Sequence, residues 1–124
     1  MTKKILIVDD EQNIVISVDF LMRREGFEVT VARDGEEGLA KIRNERPDLV
    51  LLDVMMPKLN GFDVCKAVRE DHDLDKVRIV MLTAKGRDAE IAKGAALGAD
   101  AYIPKPFSTS ALVARVKSLL GESD

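Results

Sequence analysis

The sequence predicts one α/β domain over residues 1–124, a doubly wound, five-stranded parallel sheet in the order 2-1-3-4-5 with five helices. Three observations carry that expectation. Short apolar blocks alternate with longer segments of helical period, strand then helix, five times over. Three of the blocks are unbroken, as suits central parallel strands covered on both faces. No repeat, low-complexity tract or Pro/Gly-rich linker divides the 124 residues, a length that closes a single core.

The elements follow in order. Ile5-Leu6-Ile7-Val8 reads as the first strand, and Ile14, Val18 and Leu21 form the apolar stripe of a first helix closed by Gly26. Glu28-Val29-Thr30-Val31 alternates, as a half-exposed edge strand does. Leu39 and Ile42 belong to a second helix that Asp34 caps. Leu49-Val50-Leu51-Leu52 is the third strand, and Phe62, Cys65 and Val68 mark a third helix with Asn60 as its cap. Ile79-Val80-Met81-Leu82 is the fourth strand, followed by an alanine-rich helix from Asp88 to Leu97 that ends at Gly98. Asp100-Ala101-Tyr102-Ile103 is a shorter fifth strand stopped by Pro104. Leu112, Val116 and Leu119 define the last helix, capped by Ser108. Right-handed crossovers between such units give a parallel sheet. Five units favour the order in which strands one and three meet at the switch point.

Composition excludes several roles. Hydrophobic residues are 46% and charged residues 33%, a soluble globular balance. The net charge is −3 with no basic block, which argues against direct nucleic-acid binding. Only four apolar residues follow Met1-Thr2-Lys3-Lys4, too few for a signal peptide or membrane span, so a cytoplasmic protein is expected. The one cysteine, Cys65, cannot form an internal disulfide and reads as a small buried apolar residue.

In open α/β sheets, ligands bind beyond the carboxyl ends of the strands. Strand one ends in Asp9-Asp10, strand three in Asp53, strand four in Thr83 and strand five in Lys105. Singly, each residue is an ordinary cap, turn residue or surface charge. Together they place three carboxylates, a hydroxyl and an ammonium on one edge. Three packed carboxylates repel one another, and some stay protonated unless a cation joins them. Mg²⁺ suits hard oxygen ligands. Asp53 could then attack phosphorus as a nucleophile, with Lys105 and Thr83 meeting the phosphoryl oxygens.

Across essentially its whole length the sequence resembles the receiver domains of two-component response regulators. The resemblance rests on Ile5 to Glu11 (ILIVDDE), Asp53 to Gly61 (DVMMPKLNG), Thr83-Ala84, Gly98 to Tyr102 (GADAY) and Lys105-Pro106-Phe107. It implies a flavodoxin-like fold and a phosphoacceptor at Asp53. It implies Mg²⁺ held by Asp9 and Asp10, with Asp10 and Asp53 as direct ligands and the carbonyl of Met55 as another. Lys105 is expected to contact the phosphoryl group, and Lys105-Pro106 to be a cis peptide. On phosphorylation, the family implies, the Thr83 hydroxyl moves toward the phosphoryl oxygens and the Tyr102 ring swings inward, a local charge event that biases a distant surface. Such a domain catalyses its own phosphorylation and dephosphorylation without turning over a separate substrate. The expected partners are a histidine kinase or histidine phosphotransfer protein and a downstream protein target. The first helix, the Pro104 to Phe107 loop and the Tyr102 face are the expected contact surfaces.

Positions that vary within the family carry further information. Met55, two residues after the acceptor, and Lys85, two after Thr83, flank the path of attacking water. Met55 cannot orient that water, so slow self-hydrolysis is expected. Arg115 keeps a charge found in receivers that dimerise before binding DNA. Ile91, Ala96, Ala101 and Ala111 occupy positions often charged there, so a monomer signalling to a protein is expected. The ends near Met1 and Asp124 suggest a free-standing receiver.

Other readings fail on particular residues. Asp71, Asp73 and Asp75 imitate a calcium loop, but Lys76 replaces its glycine and Leu82 its closing glutamate. His72 has no partners at metal spacing, and Met55-Met56 belong to the acceptor loop. A flavodoxin-like redox carrier needs a Ser/Thr/Gly-rich phosphate loop where Asp9-Asp10-Glu11 stand. A dinucleotide enzyme lacks its glycine fingerprint after strand one. An aspartate-nucleophile phosphatase wants its nucleophile after strand one. The alternative that remains is a degenerate receiver acting only as an interaction module, which an intact acidic cluster with Thr83 and Lys105 disfavours.

Overall fold

A computed structural model describes residues 2–56, 58–84 and 88–121. Five parallel strands alternate with five α-helices: β1 (Lys4–Val8), α1 (Gln12–Arg24), β2 (Glu28–Ala32), α2 (Gly35–Glu45), β3 (Leu49–Asp53), α3 (Gly61–Glu70), β4 (Arg78–Ala84), α4 (Asp88–Ala96), β5 (Ala101–Lys105) and α5 (Thr109–Leu119). The sheet order is β2-β1-β3-β4-β5, as expected. A 3₁₀ turn at His72–Leu74, capped by the Asp71 carboxylate on the Asp73 N–H, precedes β4. It occupies the stretch that imitates a calcium loop.

Because side chains alternate along a strand, each central strand feeds two cores. Ile5, Ile7, Leu49, Leu51, Val80 and Leu82 pack with α1 and α5 through Val18, Leu21, Leu112 and Val116. Leu6, Val8, Val50, Leu52, Ile79 and Met81 pack on the other face with Ile42, Val64, Cys65 and Val68 of α2 and α3. This double covering is why the central blocks contain no polar residue.

The caps explain where the helices begin. Asp34, Asn60 and Ser108 accept hydrogen bonds from the N–H groups of Glu37, Asp63 and Ala111. Beyond α1 and α4 the chain turns at Gly26 (φ 93°) and Gly98 (φ 103°), a left-handed conformation suited to glycine. α4 differs from the other helices: Gly94 is its only buried residue.

One expectation needs correction. Pro104 does not stop β5, which runs on to Lys105 with Pro104 opposite Thr83. β5 is an edge strand, so a residue lacking an N–H can sit in it with its donor side unpaired. The consequence is functional, because the extra residue carries Lys105 to the level of Ala84. The Lys105–Pro106 peptide is cis.

Arg69 ties the turn before β5 to α3. Its guanidinium donates to the carbonyls of Gly98 (2.9 Å), Val77 (2.7 Å) and Leu74 (3.4 Å) and to the Asp100 carboxylate (2.9 Å). Asp100 in turn accepts from the Ile79 N–H at 2.8 Å. A Cβ on Gly98 would lie 2.7 Å from Arg69 Cγ, so the glycine also makes room for the arginine. Arg69→Ala strands several partly buried acceptors together and should cost about 3 kcal/mol in urea denaturation. A loss below about 1 kcal/mol would show that water replaces the guanidinium at little cost.

Candidate functional site

All five strands run the same way, so their carboxyl ends open onto one edge of the sheet. Asp9 follows β1 and Asp53 ends β3, on neighbouring strands. Asp9 is fully buried, Asp53 is 6% exposed and Asp10 is exposed. One carboxylate oxygen from each lies within 4.8 Å of the others.

Lys105 enters this cluster from β5. Its Nζ donates to Asp9 Oδ2 at 2.9 Å and to Glu11 Oε1 at 3.2 Å, and lies 3.5 Å from Asp53 Oδ1. Burial works against its charge, but the hydrogen bond to Asp9 and the charges of Asp53 and Asp9 outweigh that and raise its pKa. Asp9 is held from both sides, since its Oδ1 also accepts from the Glu11 N–H at 2.9 Å. Asp53 Oδ1 accepts from the Met55 N–H at 3.3 Å. Burial, then the charge of Asp9, raises the Asp53 pKa to about 6, against the opposing effects of Lys105 and the Met55 N–H.

The loop after β3 folds back closely over the strand end. The Val54 N–H reaches the Leu82 carbonyl, and the Gly61 N–H returns to the Val54 carbonyl at 2.9 Å. A Cβ on Gly61 would sit 2.5 Å from the Asp53 carbonyl oxygen, so only glycine lets α3 start this near the acidic residue.

The sequence-derived candidates are thus mostly brought together. Asp9, Asp10, Asp53 and Lys105 form one cluster, with the Met55 backbone beside it. Thr83 is buried at the end of β4, where its hydroxyl donates to Glu90 Oε1 at 2.8 Å. Tyr102 is 44% exposed and, with Thr83, lines a groove of about 500 Å³ between α4 and β5. Lys85 lies outside the described residues. Two participants escaped the sequence reading. Glu11 was legible only as part of the acidic run after β1, and Glu90 had no signal, because a glutamate in the first turn of a helix is commonplace.

Chemically, the edge offers hard oxygen donors at a spacing a small cation can bridge. Magnesium–oxygen distances of about 2.1 Å place opposite ligands about 4.2 Å apart. It also offers a buried carboxylate of raised basicity beside a fixed ammonium.

A family model described as the response regulator receiver domain matches residues 5–117. Among curated proteins, the chain is 48% identical over all 124 residues to the alkaline phosphatase synthesis transcriptional regulatory protein PhoP of Bacillus subtilis, covering 51% of it. It is 45% identical, again over its full length, to the DNA-binding response regulator MtrA of Mycobacterium tuberculosis, covering 53% of it. The chain therefore spans about half the length of these relatives. Among solved structures, a putative response regulator from Chloroflexus aurantiacus superposes with a TM-score of 0.94 at 36% identity, covering 98% of this chain and 100% of that one. The chemotaxis response regulator CheY4 of Vibrio cholerae gives 0.90 at 34% identity, covering 96% and 99%.

Proposed function

The chain belongs to the response regulator receiver domain family, and from that premise we propose that Asp53 is its phosphoacceptor and Mg²⁺ its metal. The carrying observation is the buried Asp53 carboxylate, poised between two other aspartates and the Lys105 ammonium. The domain proposed spans residues 1–124. The donor set suits Mg²⁺, all ligands being hard oxygens. Asp9 has both oxygens engaged, by Lys105 and by the Glu11 N–H, which supports Asp10 and Asp53 as the direct ligands. The Met55 carbonyl completes the proposed set. When bound, Mg²⁺ supplies positive charge that offsets repulsion among the carboxylates and between them and an incoming phosphoryl group.

The residues then divide the work. Asp53 Oδ1 is held by the Met55 N–H and faces Lys105, while no hydrogen bond among the described residues engages Oδ2. Oδ2 is the proposed nucleophile. It forms the bond to phosphorus as the bond to the donor breaks, giving an aspartyl phosphate. Lys105 meets the charge on the transferred oxygens, and Thr83 donates to another of them. The domain catalyses its own phosphorylation and dephosphorylation and turns over no separate substrate. Its donor is a histidine kinase or histidine phosphotransfer protein, and the switch acts through Thr83 and Tyr102. Intact mass after incubation with acetyl phosphate tests the reading: a Mg²⁺-dependent gain of one phosphoryl group is expected. No gain, under conditions that modify a control receiver, would leave an interaction module as the better account.

Met55 is 69% exposed beside the acceptor and has no side-chain group to orient water. Met55→Asn should speed loss of the phosphoryl group by about tenfold, roughly the worth of one well-placed hydrogen bond. An unchanged dephosphorylation rate would remove the residue from the hydrolytic path.

The proposed output is a monomer that signals to a protein target, on the strength of Ile91, Ala96, Ala101 and Ala111 where charged pairs would join two receivers. A second reading has this chain as the receiver half of a DNA-binding regulator. It is favoured by PhoP and MtrA, each about twice as long as this chain. Sedimentation of the phosphorylated form separates the two: a stable dimer would favour the second.

A further inference from the structure

The Thr83 hydroxyl carries one proton and can donate one hydrogen bond. That proton goes to Glu90, on the first turn of α4, at 2.8 Å, the Ala84 carbonyl at 3.5 Å being a far weaker acceptor. Thr83 is 3% exposed, so water is a poor substitute partner for it. A phosphoryl oxygen on Asp53 and the Glu90 carboxylate must therefore compete for the same donor. From this competition, and resting on the phosphoacceptor reading above, we propose that Glu90 is a latch that holds Thr83 in the resting state. Glu90 is a positioning residue here, acting through the threonine and touching no phosphoryl group.

The surroundings suit such a device. Thr83 and Glu90 both line the groove of about 500 Å³ that Ile91, Ala101, Tyr102 and Pro104 also border. Releasing the threonine toward Asp53 would vacate space beside Tyr102. α4 buries only Gly94, so little packing opposes a shift of the helix that carries the latch. A hydrogen bond to a charged acceptor is stronger than a neutral one, and its loss should shift the resting-to-active balance by roughly tenfold. A phosphoryl mimic that binds the active state would then bind tighter by the same factor.

The chain contains one tyrosine and no tryptophan, so its intrinsic fluorescence reports Tyr102 alone. The test is titration of beryllofluoride, a phosphoryl mimic, with saturating Mg²⁺, read by that fluorescence. Glu90→Ala should bind about tenfold tighter than wild type. Glu90→Gln keeps an acceptor for the threonine and should stay within about threefold of wild type. In a Thr83→Ala background, Glu90→Ala should change the affinity by less than about twofold, because the latch then has nothing to hold. Unchanged or weaker binding in Glu90→Ala would overturn the latch. So would equal tightening in Glu90→Gln, which would assign the effect to charge rather than to the hydrogen bond. A wild type that gives no response would instead overturn the phosphoacceptor reading, and the latch with it.

Discussion

Asp53→Ala will take up no phosphoryl group from acetyl phosphate under conditions that load the wild type. The neighbouring carboxylates cannot substitute. Asp9 is fully buried with both oxygens bonded, and Asp10 is exposed, outside the buried pocket that Asp53 shares with Lys105. Asp53 combines burial, a pKa raised to about 6 and an ammonium 3.5 Å away. It is therefore mostly ionised at pH 7.5 yet more basic than an ordinary aspartate. Intact mass decides the matter, and residual loading at Asp10 would show that the cluster, rather than one residue, is the nucleophile.

The same raised pKa has a consequence for stability. An unfolded aspartate has a pKa of about 3.9, so between about pH 4 and 6 the native protein holds more protons at this site than the unfolded one. Its stability contribution therefore falls as pH rises through that window and stays low above it. Asp53→Asn should accordingly stabilise the protein in EDTA at pH 7.5, by about 1–2 kcal/mol after allowance for solvent screening. The gain should fade near pH 4. Urea denaturation at both pH values measures it, and an equal effect at both would exclude ionisation as the cause.

Lys105→Met should be the most destabilising single change at the site. The substitution keeps most of the aliphatic stem and removes the ammonium that neutralises a fully buried Asp9 and a nearly buried Asp53. Breaking a buried pair on one side leaves an uncompensated charge, at a cost of about 3–5 kcal/mol. In EDTA at neutral pH the loss should approach that range, and it should shrink in acid as Asp53 protonates. Saturating Mg²⁺ should recover part of it, about 2–3 kcal/mol at a hundredfold excess over its dissociation constant. Phosphoryl uptake should slow by about 10² even with Mg²⁺ present, because one preorganised positive group is missing. A Lys105→Met protein as stable in EDTA as wild type would mean that the ammonium contributes nothing to holding the buried carboxylates together.

Much of the site was legible because a parallel sheet imposes direction. Once Ile5–Val8, Leu49–Leu52 and Ile79–Leu82 are read as strands, whatever follows them meets on one edge. That brings Asp9, Asp10, Asp53 and Thr83 together with no further information. Lys105 was named for the right edge although its strand was ended too soon, at Pro104. The expected order already put β5 at the sheet margin, and there a proline costs no ladder hydrogen bond, so Pro104 is no stop signal.

What the sequence determined by itself was the layering. Its apolar periods fixed five strands and five helices, its capping residues fixed where α2, α3 and α5 begin, and its strand-end residues fixed which side chains share the edge. These are local properties, decided by spacing along the chain. Only the tertiary structure decided the pairings across it: Lys105 with Asp9 and Glu11, Arg69 with the turn at Gly98, and Thr83 with Glu90. Those contacts join residues on different elements, and they depend on how far β5 runs and where α4 lies. α4 shows why such a position stays hidden, since a helix with one buried residue carries almost no apolar stripe to announce which face it turns to the sheet.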